Sequence, residues 1–180
     1  MEGGERLRLF LALPLPDELR GRLVRWQAAT LGGAADARPV SAGNLHVTLA
    51  FLGGRPVGDV PAIAREMRAA AGAAERPVLR PVAYRETRSV GMVVLEDEDE
   101  RATRLSRDLA ARLWHLGVYE PERRPWLPHV TVLRFRRRPQ ITPEPPDVGA
   151  FSPSDVALYT SVLRRTGAQY EIRESAPLGG

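Results

Sequence analysis

The order strand, helix, loop, strand is written twice in this chain, and each copy ends on one four-residue pattern: His46-Val47-Thr48-Leu49 and His129-Val130-Thr131-Val132. Leu11 of the first copy lies 35 residues before His46, and Val93 of the second lies 36 before His129. A unit used twice constrains the chain to fold as two related halves, with a pseudo-two-fold arrangement that sets the two pattern-bearing strands side by side. Chance is a poor explanation. With eight Thr among 180 residues and three His, two of the three His gain Thr at the second neighbour with odds of about 0.006.

Read in order, Leu7 to Leu13 alternates as a strand, with Leu7, Leu9, Leu11 and Leu13 on one face and Arg8, Phe10 and Ala12 on the other. Asp17 and Glu18 suit a helix start, and Leu19, Leu23, Trp26 and Thr30 follow at helical spacing until Gly32-Gly33. The strand Leu45 to Leu52 puts His46, Thr48 and Ala50 on one face and Leu45, Val47, Leu49 and Phe51 on the other, toward a core. Asp59, Pro61, Ile63, Met67 and Ala70 mark a second helix. Strands are expected over Pro77 to Tyr84 and Val90 to Leu95. The acidic run Glu96 to Glu100 then reads as a hydrated helix start rather than a metal cluster, and Ala102, Leu105, Leu109, Leu113 and Leu116 stripe a third helix. His129 to Phe135 is the second motif strand. The Pro-rich stretch Pro139 to Pro153 is a flexible flap or a long ordered loop. Strands Val156 to Leu163 and Gln169 to Arg173 close the chain around Thr166-Gly167, with frayed residues after them.

A chain of this length holds one good core, so residues 1–180 are expected to form a single bilobed domain and a monomer. All 26 basic residues are Arg, against 22 acidic ones, for a formal charge of +4; this points only weakly to anionic partners. The absence of cysteine removes disulfides and thiolate zinc sites and makes a cytoplasmic address the default. The apolar run from Leu9 to Leu15 is too short for a membrane span and has no signal-peptide cleavage pattern.

Each His-x-Thr pair projects from one face of its strand. Histidine gains and loses a proton near neutrality, so two of them across a substrate can act as base and acid in one displacement, while the hydroxyls donate to oxygens where negative charge develops. That set suits phosphodiester hydrolysis without metal. One alternative is two ordinary strand histidines beside Thr chosen for β-propensity; the doubling argues against it. Another is zinc, for which two His are too few, because His115 falls near the end of a helix where a cation is favourable anyway.

The doubled motif, the opening Arg6-Leu7-Arg8-Leu9-Phe10 with Ala12-Leu13-Pro14, the run Asn44 to Gly53, and Pro128-His129-Val130-Thr131 followed by Arg134 resemble the 2H phosphoesterases. Within them the chain is most similar to the RNA 2′,3′-cyclic phosphodiesterases, also called bacterial 2′-5′ RNA ligases. The resemblance runs from about Arg6 to Arg173. It implies an α+β fold, a bilobed 2H phosphoesterase architecture of two pseudo-symmetric sheet-and-helix lobes with a central cleft. It implies hydrolysis of RNA ending in a 2′,3′-cyclic phosphate to a 2′-phosphomonoester without cofactor or metal, with reverse 2′-5′ ligation open to the same site. His46 would be the proton donor and His129 the proton acceptor, with Thr48 and Thr131 holding the phosphate.

Arg134 matches a family arginine that contacts phosphate, although strict alternation from His129 turns it to the other face unless the strand bulges. The family's frequent basic residue before Pro-His is Leu127 here. Phe10 and Trp126 could each stack on a base or pack in the core. Arg123, Arg124 and Arg134 to Arg138 could attract an RNA backbone or simply be hydrated. Two other functions stay open: a noncatalytic RNA- or nucleotide-binding module, and a cyclic phosphodiesterase of small nucleotides such as an ADP-ribose cyclic phosphate.

Overall fold

The computed structural model describes residues 5–179. Its elements are β1 (Arg6–Pro14), α1 (Asp17–Thr30), β2 (Ala37–Pro39), β3 (His46–Pro56), α2 (Val60–Ala73), β4 (Leu79–Glu86), β5 (Val90–Asp97), α3 (Arg101–His115), β6 (His129–Phe135), β7 (Asp155–Arg164) and β8 (Gly167–Pro177). All eight strands join one antiparallel sheet in the order β4-β5-β6-β3-β1-β7-β8, with β2 paired to β6. The expected repeat is visible in that order. β1-α1-β3 and β5-α3-β6 are the two copies, and their motif strands β3 and β6 are neighbours at the middle. They share a single residue pair, Val47 with Val130, so the halves meet at a narrow seam.

One face of the sheet is covered by all three helices. Leu9, Leu11, Leu13, Val47, Val130 and Leu133 pack there against Leu19 and Leu23 of α1, Ile63 and Met67 of α2, and Leu105 and Leu109 of α3. Each of these side chains contributes about 1.5–3 kcal/mol by leaving water. The other face is left for the cleft. Here the hairpin β7-β8 extends the sheet, β7 beside β1 and β8 beyond it, so that Phe10 and Ala12 pack with Ala157, Tyr159 and Tyr170. Asn44 Nδ2 donates to Ala168 O at 2.8 Å and ties the hairpin's tip to the loop before β3.

Several expectations shift for identifiable reasons. The stripe on α1 is Leu19, Leu23 and Gln27, with Thr30 exposed; the glutamine is buried because its amide has backbone partners. Asp97 receives Ala102 N, Thr103 N and Thr103 Oγ1, so the acidic run starts α3 by side-chain hydrogen bonds. β8 continues to Pro177 instead of fraying, and Ala176 and Leu178 are buried. The Pro-rich stretch is an ordered loop: Trp26 Nε1 donates to Glu144 O at 3.1 Å, Arg22 to Asp147 O at 2.9 Å, and the N–H groups of Gln140 and Ile141 donate to Glu86 at 3.0 Å each. It straps the outer side of α1.

Candidate active site

Antiparallel pairing of Val47 with Val130 sets His46 against Thr131 and Thr48 against His129, so the four motif side chains form a diagonal square on the cleft face. Both histidines are anchored alike. His46 Nδ1 donates to Asn44 O at 2.8 Å and His129 Nδ1 to Leu127 O at 2.7 Å, in each case the carbonyl two residues earlier. A carbonyl can only accept, so Nδ1 carries the proton in both rings and Nε2 is the working nitrogen. In His46 that nitrogen lies 2.9 Å from Thr48 Oγ1, whose hydroxyl donates to it.

The strands do not keep strict alternation after the motifs. On β3 the register passes from Ala12 opposite Thr48 to Leu11 opposite Ala50, leaving Leu49 as the extra residue. On β6 it passes from Met92 opposite Thr131 to Gly91 opposite Leu133, leaving Val132 extra. Each motif strand thus carries a bulge immediately after its Thr, and the residues that follow it directly change face. Ala50 and Leu133 turn into the core. Phe51 and Arg134, each five residues after its histidine, turn into the cleft. The bulge answers the question that alternation raised about Arg134, and it corrects the core position expected for Phe51, which is 48% exposed.

The cleft has a volume of about 650 Å³. Arg8, Arg38 and Arg134 line it together with His46, Thr48, Thr131 and Phe51, and among the described residues no carboxylate does. Arg38 stands directly across the β2-β6 ladder from Arg134, a like-charge pair that destabilises a sheet unless an anion intervenes. None of the three arginines makes an ion pair among the described residues. Burial pushes His46 down to about 4; its bond to Asn44 O opposes the drop, and the charges of Arg134 and His129 add to it. Without an anion, His46 is neutral at pH 7.

The expected residues fall out unequally. His46, Thr48, Thr131 and Arg134 meet in the cleft wall, and His129 stands beside it, near enough for its charge to press on His46. Phe10 is 3% exposed. Its ring reaches the cleft lining but lies 5.0 Å from Tyr159 in a parallel stack and 5.0 Å from His46, so most of it backs the histidine. Phe51 is the open aromatic surface, with the Arg8 guanidinium 5.5 Å from its ring centre. Trp126 packs against the core and donates its indole N–H to Thr48 O at 3.0 Å. His115 is far along α3, bonded to Ala111 O. Among the described residues no group of three or more His, Cys, Asp or Glu side chains is placed to hold a metal, and no helix is long and apolar enough to cross a membrane.

Known proteins resemble this chain in sequence and in fold. The profile described as LigT like Phosphoesterase matches residues 13–88. The RNA 2′,3′-cyclic phosphodiesterase of Thermus thermophilus is 32% identical over 184 residues, covering 97% of this chain and 91% of its own. The chain belongs to the LigT-like phosphoesterase family. The Escherichia coli RNA 2′,3′-cyclic phosphodiesterase is 29% identical over 171 residues, covering 92% and 93% of the two chains. Escherichia coli LigT solved with 3′-AMP shares the fold, with a TM-score of 0.85 at 24% identity over 98% of this chain and 100% of that one. The α+β architecture with its curled sheet is therefore that of LigT-like phosphoesterases, and the chain is an enzyme of this family.

Proposed function

We propose that this single-domain enzyme hydrolyses a terminal 2′,3′-cyclic phosphate on RNA to a 2′-phosphomonoester by two-histidine acid-base catalysis, with no metal step. The observation that carries the reading is the pair of identically anchored histidines, each with Nδ1 held by a backbone carbonyl so that Nε2 is left for proton transfer, beside two hydroxyls and a cleft lined by arginine and, among the described residues, no carboxylate. Water attacks phosphorus opposite the 3′ oxygen. His129 Nε2 takes its proton, the P–O3′ bond breaks, and His46 Nε2 delivers a proton to the departing oxygen. Thr48, Thr131 and Arg134 hold the non-bridging oxygens as charge develops on them. Phe51 and Arg8 form a platform for the base, and Arg38 adds attraction for the phosphate chain.

Because His46 is neutral in the free cleft, it takes up a proton from solvent as the substrate anion binds. The cyclic phosphate anion opposes the push of Arg134 and His129 and raises the ring's basicity against the larger effect of burial. The same burial favours a second assignment, in which His46 is the base and His129 the acid. A substrate whose 3′ oxygen is replaced by sulfur separates the two, because a thiolate leaves without protonation. The first assignment expects this substrate to restore turnover in His46→Ala but not in His129→Ala; the reverse pattern establishes the second. Tight RNA binding with no hydrolysis by the unaltered chain would replace both with a binding module.

A further inference from the structure

We propose that Gln27 and Ser106 are positioning residues, each holding the backbone bulge that turns a cleft side chain of the opposite half toward the substrate. The role rests on the function proposed above. A bulge takes a carbonyl out of the regular ladder, and both extra residues, Leu49 and Val132, are buried from water. A buried carbonyl needs a donor. Gln27 Nε2 donates to Val132 O at 2.8 Å and to Val40 O at 3.0 Å, while Val40 N joins it on Val132 O at 3.0 Å. Ser106 Oγ donates to Leu49 O at 3.3 Å. At 2% and 4% exposure both residues are buried.

The connections run crosswise. Gln27 lies on α1, in the first copy of the repeat, and bonds β6 of the second; Ser106 lies on α3, in the second copy, and bonds β3 of the first. They sit where the seam between β3 and β6 has one residue pair and little ladder of its own. Loss of a bulge would slip the strand by one residue, sending Arg134 or Phe51 toward the core and Leu133 or Ala50 toward the cleft. Neither positioning side chain lines the cleft. Their effect passes through Arg134 and Phe51.

The test is a pair of double-mutant cycles read in the Kd for a nucleoside 2′-monophosphate and in the KM and pH profile for a dinucleotide with a 2′,3′-cyclic phosphate end. Gln27→Met keeps length and loses the donor. It should raise both constants about tenfold, leave the pH profile in place, and add less than about twofold to Arg134→Gln. Ser106→Ala should be similarly non-additive with Phe51→Leu yet multiply with Arg134→Gln. Unchanged constants in Gln27→Met, or full multiplication with Arg134→Gln, would overturn the proposal. If Gln27→Met does not melt cooperatively, the Ser106→Ala cycle decides by the same criteria. Should the unaltered chain bind the nucleotide without turning over the cyclic substrate, the proposed reaction fails while the Kd cycles still judge the positioning role.

Discussion

Lowering the pH should cost this protein stability through His46 in particular. The ring falls from an ordinary value of 6.5 to about 4 in the fold, chiefly because of burial. The unfolded chain therefore takes up a proton as pH drops below 6.5, while the native chain does so only near 4. The sign follows from linkage: stability is full above about 6.5, declines with falling pH, and levels off below about 4. At about 1.36 kcal/mol per pH unit the interval sets a ceiling of about 3 kcal/mol, and access of water from the cleft side brings the expectation to about 1–3 kcal/mol. Urea unfolding of the unaltered chain and of His46→Gln, each from pH 7.5 to 4, isolates the effect because other titrating groups are common to both. The difference should grow by that amount toward acid in favour of the variant. Parallel curves would refute the reasoning, as would an imidazole resonance of His46 that titrates at 6.5 or above.

Arg38→Gln should stabilise the fold by about 0.2–1 kcal/mol by removing the like-charge pair with Arg134. In the same variant the salt dependence of KM for an oligonucleotide should flatten by about 0.7 in the log-log slope. Glu86 holds Arg138 Nε, Gln140 N and Ile141 N at 3.0 Å each, so Glu86→Ala should lose about 2–3 kcal/mol in urea unfolding as the strap over α1 loosens. A methyl group on Gly91 would come within 2.9 Å of Tyr84 Cζ and closer still to its hydroxyl. Gly91→Ala should therefore cost about 1–3 kcal/mol by thermal melting, and adding Tyr84→Phe should recover part of it.

Sequence periodicity reached the helices and the motif strands because their signals are local. Alternation at Leu9, Leu11 and Leu13, and the stripe Ile63, Met67 and Ala70, coincide with burial in the core. The doubled motif, through the repeat, also made legible that β3 and β6 are neighbours. Bulges are different in kind. Leu49 and Val132 are unremarkable strand residues, and what makes them extra is their pairing with β1 and β5, a property of two distant segments at once. For that reason alternation misplaced Phe51 and left Arg134 undecided. Gln27 shifted the stripe of α1 because its amide finds Val40 O and Val132 O, partners 13 and 105 residues away. β2 is three residues long, and β8 beyond the expected end at Arg173 lacks a continuous apolar face, so neither stretch offered a period to read.

The central claim is a metal-free reaction run by two histidines, and the most direct measurement is hydrolysis of an oligonucleotide with a 2′,3′-cyclic phosphate end in the presence of a chelator. The unaltered chain, His46→Ala and His129→Ala would be compared, with the position of the product phosphate determined by phosphorus NMR. The account predicts a 2′-phosphomonoester from the unaltered chain and a rate lower by about 10² to 10⁴ in either variant. Chelator-sensitive turnover, a 3′-phosphate product, or a variant that keeps its full rate would contradict it.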